Sequence, residues 1–202
     1  MLHKLPVCSI LEANPNQMKT AIPLSFLVFV TLELPAQGVF SNETNIALEK
    51  VIQDYPNRFN NIKGAILLED SRVTNYESSV KIPGSLSCVV TLINGQRQTV
   101  SWRAELFDSG NFNEARNKYK EFYNQIRNTI IKIQGEKPYI LNGQYESPEL
   151  TKPFHSIVFN LLPSAGNLQK VKVELSINHE TSLWKIQIAI YDFEEMILVQ
   201  RQ

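Results

Sequence analysis

The side chains able to make or break bonds are few, and their spacing assembles no familiar catalytic set. Beyond residue 38 the chain keeps two histidines, His155 and His179. They are not four residues apart and no H-E-x-x-H occurs, which removes the helical two-histidine zinc face. His155 falls on the polar parity at the start of a strand and His179 in a turn, so both read as solvated imidazoles. The cysteines are Cys8 and Cys88, with no C-x-x-C for a zinc ribbon or a thioredoxin-like pair. Cys88 shares the parity of Leu86, Val90 and Leu92 and reads as a small core hydrophobe. A reactive thiolate needs partial exposure and a cationic neighbour instead. The nucleophile elbow G-x-S-x-G, the P-loop and G-x-G-x-x-G are all missing.

Carboxylates are available in Asp192, Glu194 and Glu195. General acid–base work needs one carboxyl desolvated beside an ionised one. These residues lie past the last strand in a polar context and read as solvated surface. Asp108 precedes a helix, where the helix dipole accounts for a carboxylate. No catalytic residue, metal ligand or cofactor is assigned.

Trp102 and Trp184 could stack on a sugar or a peptide. Both share the parity of the aliphatic residues around them, which places them in a core beneath helices. The opposite parity carries Arg103, Glu105, Lys172, Glu174, Lys185, Gln187 and Tyr191, with Thr91 and Ser101 alongside. These seven form the candidate binding surface. Their mixed charge suits neither an anion trap nor an apolar dock.

Alternation positions these residues. Val100, Trp102, Ala104 and Leu106 alternate with Ser101, Arg103 and Glu105. Val171–Ile177 and Trp184–Ile190 repeat the pattern, the mark of antiparallel strands with one packed face and one wet face. Asn94-Gly95 and Asn178 to Ser182 provide hairpin turns. Helical spacing marks Thr44 to Phe59, with Pro56 ending the regular helix near Asp54. It also marks Asn111 to Ile133, opened by a capping box of Asn111 and Glu114 and stopped by Gly135 and Pro138.

Two stretches echo each other. Tyr76 to Val80, Pro83, Val90 to Asn94 and Ser101-Trp102-Arg103 run in the same order as Phe154 to Val158, Pro163, Val173 to Asn178 and Leu183-Trp184-Lys185. The expected fold is therefore α+β. Two αβββ-like repeats, roughly residues 43–108 and 109–193, form an antiparallel sheet with two helices packed on one face and the other face solvated.

The chain has 202 residues, 43% hydrophobic, with Lys plus Arg 20 and Asp plus Glu 20. That apolar content supports a core. The zero net charge argues against a nucleic-acid partner, since phosphate binding draws on a basic excess.

Residues 1–38 read as an N-terminal extension and a cleaved signal, and residues 39–202 as the exported domain. Met18-Lys19 precede an apolar run from Ala21 to Leu32, and Glu33, Pro35 and Ala36-Gln37-Gly38 follow. The run is shorter than the ~20 apolar residues of a spanning helix, so no membrane span is expected in the mature form. Residues 1–17 fit no part of a signal, and Met18 is the expected start. The reading is a secreted or periplasmic, non-enzymatic module that binds a protein, a peptide or a cell-envelope component. The alternatives are an extracytoplasmic hydrolase with its site at the junction of the halves, or a self-associating, chaperone-like protein.

Ala36 and Gly38 fit the small-x-small rule best, and cleavage after Ala36 is the alternative that puts bulky Leu34 at −3. N-terminal sequencing of the exported form should therefore begin at Val39, or at Gln37 for the alternative. Recovery of a peptide from residues 1–17 in the precursor would refute the Met18 start.

Overall fold

The computed structural model describes residues 43–95, 98–164 and 166–192. The expected signal and start site, and Glu194 and Glu195, lie outside the described residues.

The elements are α1 (Glu43–Asp54), β1 (Lys63–Glu69), β2 (Val73–Ser78), β3 (Ser87–Ile93), β4 (Thr99–Ser109), α2 (Phe112–Ile126), β5 (Ile130–Ile131), β6 (Tyr139–Asn142), β7 (Phe154–Leu162), β8 (Val171–Glu180) and β9 (Leu183–Asp192). Among the described residues the strands form one nine-stranded sheet in the order β1-β2-β3-β4-β9-β8-β7-β6-β5. Every neighbouring pair is antiparallel. The class is α+β. No described helix is long and apolar enough to cross a membrane.

Strand number exceeds the three expected after each helix. β1, Lys-Gly-Ala-Ile-Leu-Leu-Glu, has a continuous apolar middle and no alternation to reveal it. β5 arises from residues expected to be helical. The second helix ends at Ile126, not Ile133: Arg127 turns extended, with ψ 140°, and Asn128 takes φ 64°, a left-handed conformation that asparagine tolerates. Asn128 N donates to Leu141 O and Leu141 N to Thr129 O, both at 3.0 Å, so sheet bonds replace the next helical turn.

The start of α2 follows its sequence signal. Asn111 Oδ1 accepts from the amides of Asn113 and Glu114 at 2.9 and 3.4 Å. Glu114 reaches back indirectly: its carboxylate accepts the Ser109 hydroxyl at 2.7 Å, and Ser109 Oγ accepts the Asn111 amide at 3.0 Å. α1 ends at Asp54, and a 3₁₀ turn over Tyr55–Asn57 takes up Pro56. The buried Asp54 carboxylate accepts from Asn61 N at 3.0 Å, Asn61 Nδ2 at 2.6 Å and Asn57 Nδ2 at 3.0 Å. These bonds close the loop in which Arg58 and Phe59 hold φ of 57° and 56°.

One parity of the central strands makes the core. Val100, Trp102, Ala104, Val173, Leu175, Ile186, Ile188 and Ile190 are buried with Leu48, Val51 and Ile52 of α1 and Ala115, Tyr119 and Ile126 of α2. Tyr119 Oη donates to Leu175 O at 3.1 Å, tying α2 to β8. Trp102 is fully buried, and its Nε1 donates to Ser78 Oγ at 2.9 Å. Gly143 passes so close to Phe159 that a Cβ would stand 2.7 Å from the ring. The turn between β8 and β9 is tighter than expected: it takes only Thr181 and Ser182, with φ of 50° and 72°, and Asn178 stays in the ladder.

Trp102→Phe removes the buried N–H and leaves a void beside Ser78. It should lower unfolding free energy by about 2 kcal/mol, read as a shift of the urea midpoint at unchanged slope.

Candidate functional site

The register of β4, β9 and β8 gathers the seven predicted residues. Glu105 lies opposite Gln187, and Ser101 and Arg103 lie opposite Tyr191 and Ala189. Lys172, Glu174, Ser176 and Asn178 lie opposite Tyr191, Ala189, Gln187 and Lys185. Antiparallel partners project to the same side of the sheet, so all seven share one parity.

Most of their charge is paired within the group or with near neighbours. Tyr191 Oη donates to Glu174 Oε2 at 2.7 Å, and Lys172 Nζ to Asn160 Oδ1 at 2.6 Å. Lys185 Nζ sits 3.9 Å from Glu105 Oε1 and 3.7 Å from Glu180 Oε2. Asn178 Nδ2 donates to Glu180 Oε1 at 2.5 Å. Arg103 is exposed, flanked by Val89 of β3 and Ala189 of β9. Two of the residues expected on a wet surface are covered. Tyr191 is 7% exposed, and Thr91 is buried with its hydroxyl donated to Asn75 Oδ1 at 2.9 Å. Burial, reinforced by the Glu174 hydrogen bond, pushes the Tyr191 hydroxyl well above the usual tyrosine range. Burial does the same to Tyr119.

Other candidates move. His155 stands on the core parity with Ile157 and Phe159, not on the polar one. Its ring meets Tyr119 edge-on at 5.9 Å, and its Nε2 lies 3.0 Å from Glu146 O. Asp192 is not solvated surface: it is the last residue of β9, buried, and accepts the Tyr55 hydroxyl at 2.5 Å. Cys88 is buried, with Ser85 Oγ 3.2 Å from its sulfur. Leu86, read as its core companion, is 57% exposed and precedes β3.

The tryptophans have different surroundings. Trp184 is the second residue of β9, with Phe112 at 4.8 Å and the exposed His179 ring at 4.7 Å. It helps line an open groove of about 1020 Å³ with Asn111, Arg116, Glu149 and Leu150. Among the described residues no three of His, Cys, Asp and Glu gather as a metal-binding group.

Sequence reasoning missed an apolar stripe on the same parity as the charged residues. Ile130 pairs with Ile140, and Ile140 with Leu162. They are 41%, 43% and 42% exposed, and Val158 and Phe154 extend the stripe along β7 at 39% and 56%. A signal existed: Ile157 to Leu162 is apolar on both parities but for Asn160, which is unlike a strand with one wet side.

A tyrosine with a raised folded-state pKa stabilises the fold while protonated, and that contribution is lost as pH climbs above the unfolded value of about 10. Tyrosinate absorbance should therefore show Tyr119 and Tyr191 ionising only with alkaline unfolding. The stability deficit of Tyr191→Phe should shrink above about pH 10, because the variant lacks that ionisation. A deficit independent of pH would refute this.

No protein-family model matches the chain, and no curated protein or solved structure matches it.

Proposed function

We propose that the protein is an exported, non-enzymatic binding module that takes a protein, a peptide or a cell-envelope component on the sheet surface carrying Arg103, Glu105, Lys172, Glu174, Lys185 and Gln187. One observation carries the reading: the charge-paired centre of that surface continues, on the same parity, into the exposed stripe of Ile130, Ile140, Leu162 and Val158. An apolar anchor beside a polar margin is the composition of a protein-contact surface, whereas singly scattered apolar residues carry no such meaning. The hydrolase alternative draws less support, because Glu105 is matched with Lys185 and Glu174 with Tyr191 instead of one carboxyl being isolated in a dry pocket.

The proposal includes the finer architecture. α1 with the strands up to β4, and α2 with the strands up to β9, are two copies of one ancestral unit. They are arranged about the β4·β9 pair, with the helices over the core side of the sheet and the opposite side left for the ligand. The order β2-β3-β4-β9-β8-β7 supports this, since it reads the same from either end when the halves are exchanged. The match of Asn94 with Asn178 is looser: Asn94 follows β3, while Asn178 sits within the β8 ladder.

The test is photo-crosslinking in the producing cells from positions 103, 158 and 121, Glu121 being an exposed site on α2. One partner should be captured from 103 and 158 but not from 121. Val158→Glu should weaken its binding by about tenfold or more, the scale of an interface anchor. Equal capture from all three positions, or binding indifferent to Val158→Glu, overturns the assignment of this surface.

A further inference from the structure

The two edges of the sheet are treated differently. The β5 edge is two residues long, and α1 covers the backbone just past it: Glu49 Oε1 accepts the Lys132 amide at 3.0 Å, and Gln53 Nε2 donates to the Lys132 carbonyl at 2.7 Å. Covering an edge with a helix is a standard defence against unwanted strand pairing. The β1 edge has no such cover among the described residues. Its seven residues reach about 24 Å. Every residue from Gly64 to Glu69 is exposed, with Ile66, Leu67 and Leu68 at 54%, 57% and 53%. A long apolar edge with unpaired backbone groups is a template for another strand.

We infer that β1 is the pairing edge of a homodimer, in which β1 of a second copy adds antiparallel and continues the sheet. The charge pattern of the strand selects this occupant and this direction. β1 begins with Lys63 and ends with Glu69, and everything between them is uncharged. A twofold axis at Ile66 sets Lys63 of each copy opposite Glu69 of the other, Gly64 opposite Leu68, and Ala65 opposite Leu67. A parallel arrangement would set Lys63 against Lys63. Self-complementarity of this kind is what a closed twofold contact requires. Lys63 Nζ donates to Asn60 Oδ1 at 2.8 Å and lies 5.1 Å from the Tyr76 ring. Burial with the nearby Arg58 guanidinium lowers its pKa from the ordinary lysine value, so an incoming carboxylate adds the opposite charge beside it.

The contact is small. β1 carries extra residues against β2 between Lys63 and Ile66 and between Ile66 and Leu68, and such bulges bend an edge and shorten the run a second strand can follow. Gly64 holds this bent strand against β2, where a Cβ would stand 2.9 Å from Glu77 O. A pairing of at most seven residues falls below the area of a permanent dimer, so association is expected at micromolar concentrations and not at nanomolar ones. The inference does not rest on the proposed binding surface, and either can fail without the other.

The experiment is sedimentation velocity of the protein purified from its producing cells, over a range of micromolar concentrations. Wild type should shift from monomer to dimer as concentration rises. Leu67→Lys should stay monomeric with unchanged circular dichroism. Lys63→Glu and Glu69→Lys should each weaken the dimer by about tenfold or more, because each places like charges opposite one another. Mixing these two variants should restore a dimer, since each then supplies the charge the other lacks. That rescue also guards against a variant that merely misfolds. A wild type that stays monomeric, a dimer indifferent to Leu67→Lys, or a mixture that fails to associate overturns the inference. So does a photo-crosslink from position 67 that joins its own chain or a different protein instead of a second β1.

Discussion

The antiparallel pairing of β4 with β9 is the joint on which the sheet depends. These are long central strands, Thr99–Ser109 and Leu183–Asp192, and each brings a hairpin partner, β3 or β8, on its outer side. Their pairing converts two small sheets, each with an exposed edge, into one with a continuous buried side. It sets Trp102 opposite Ile190 and Ala104 opposite Ile188 in the core, and Glu105 opposite Gln187 on the other parity. Because side chains alternate with period two, a slip of one residue would exchange the two sets, exposing Trp102 and burying Arg103. The hydrophobic parity and the shared register enforce each other.

The same period governs the polar side. Charged residues whose neighbours in sequence are apolar are brought beside partners from distant parts of the chain: Lys185 beside Glu105, Tyr191 beside Glu174, Lys172 beside Asn160. Each contact is modest where exposed. Together they leave a surface of little net charge that gives way to the apolar stripe of β5, β6 and β7. The buried Tyr191 marks where hydrogen bonding and burial combine on that side.

The sheet ends show how an open architecture handles unsatisfied backbone. At β5 the side chains of α1 take the bonds a further strand would take, and Thr129 joins the same network through Asn45 Oδ1 at 2.8 Å. At β1 bulges and terminal charges are the devices present among the described residues. A helix that covers one edge is not available to cover the other, so the two edges of the sheet end differently.

Local pattern determined a good part of this molecule. The alternation in β4, β8 and β9, the core parity of Trp102, Cys88 and the aliphatic residues, the Asn111 cap and the end of α1 near Asp54 all follow from spacing and from what proline and asparagine do to a backbone. The gathering of seven polar residues on neighbouring strands could be anticipated because parity is a local property. Long-range bonding decided the rest. α2 stops at Ile126 because the backbone from Asn128 onward finds sheet partners at Leu141, which lies beyond the reach of a periodicity argument. β1 escaped notice because a strand exposed on both sides has no alternation to display. His155, Asp192 and Tyr191 differ from the sequence reading for separate reasons: the polar start of β7 hides the core parity of His155, β9 runs on through Asp192 to meet Tyr55, and parity alone does not show that Tyr191 is covered.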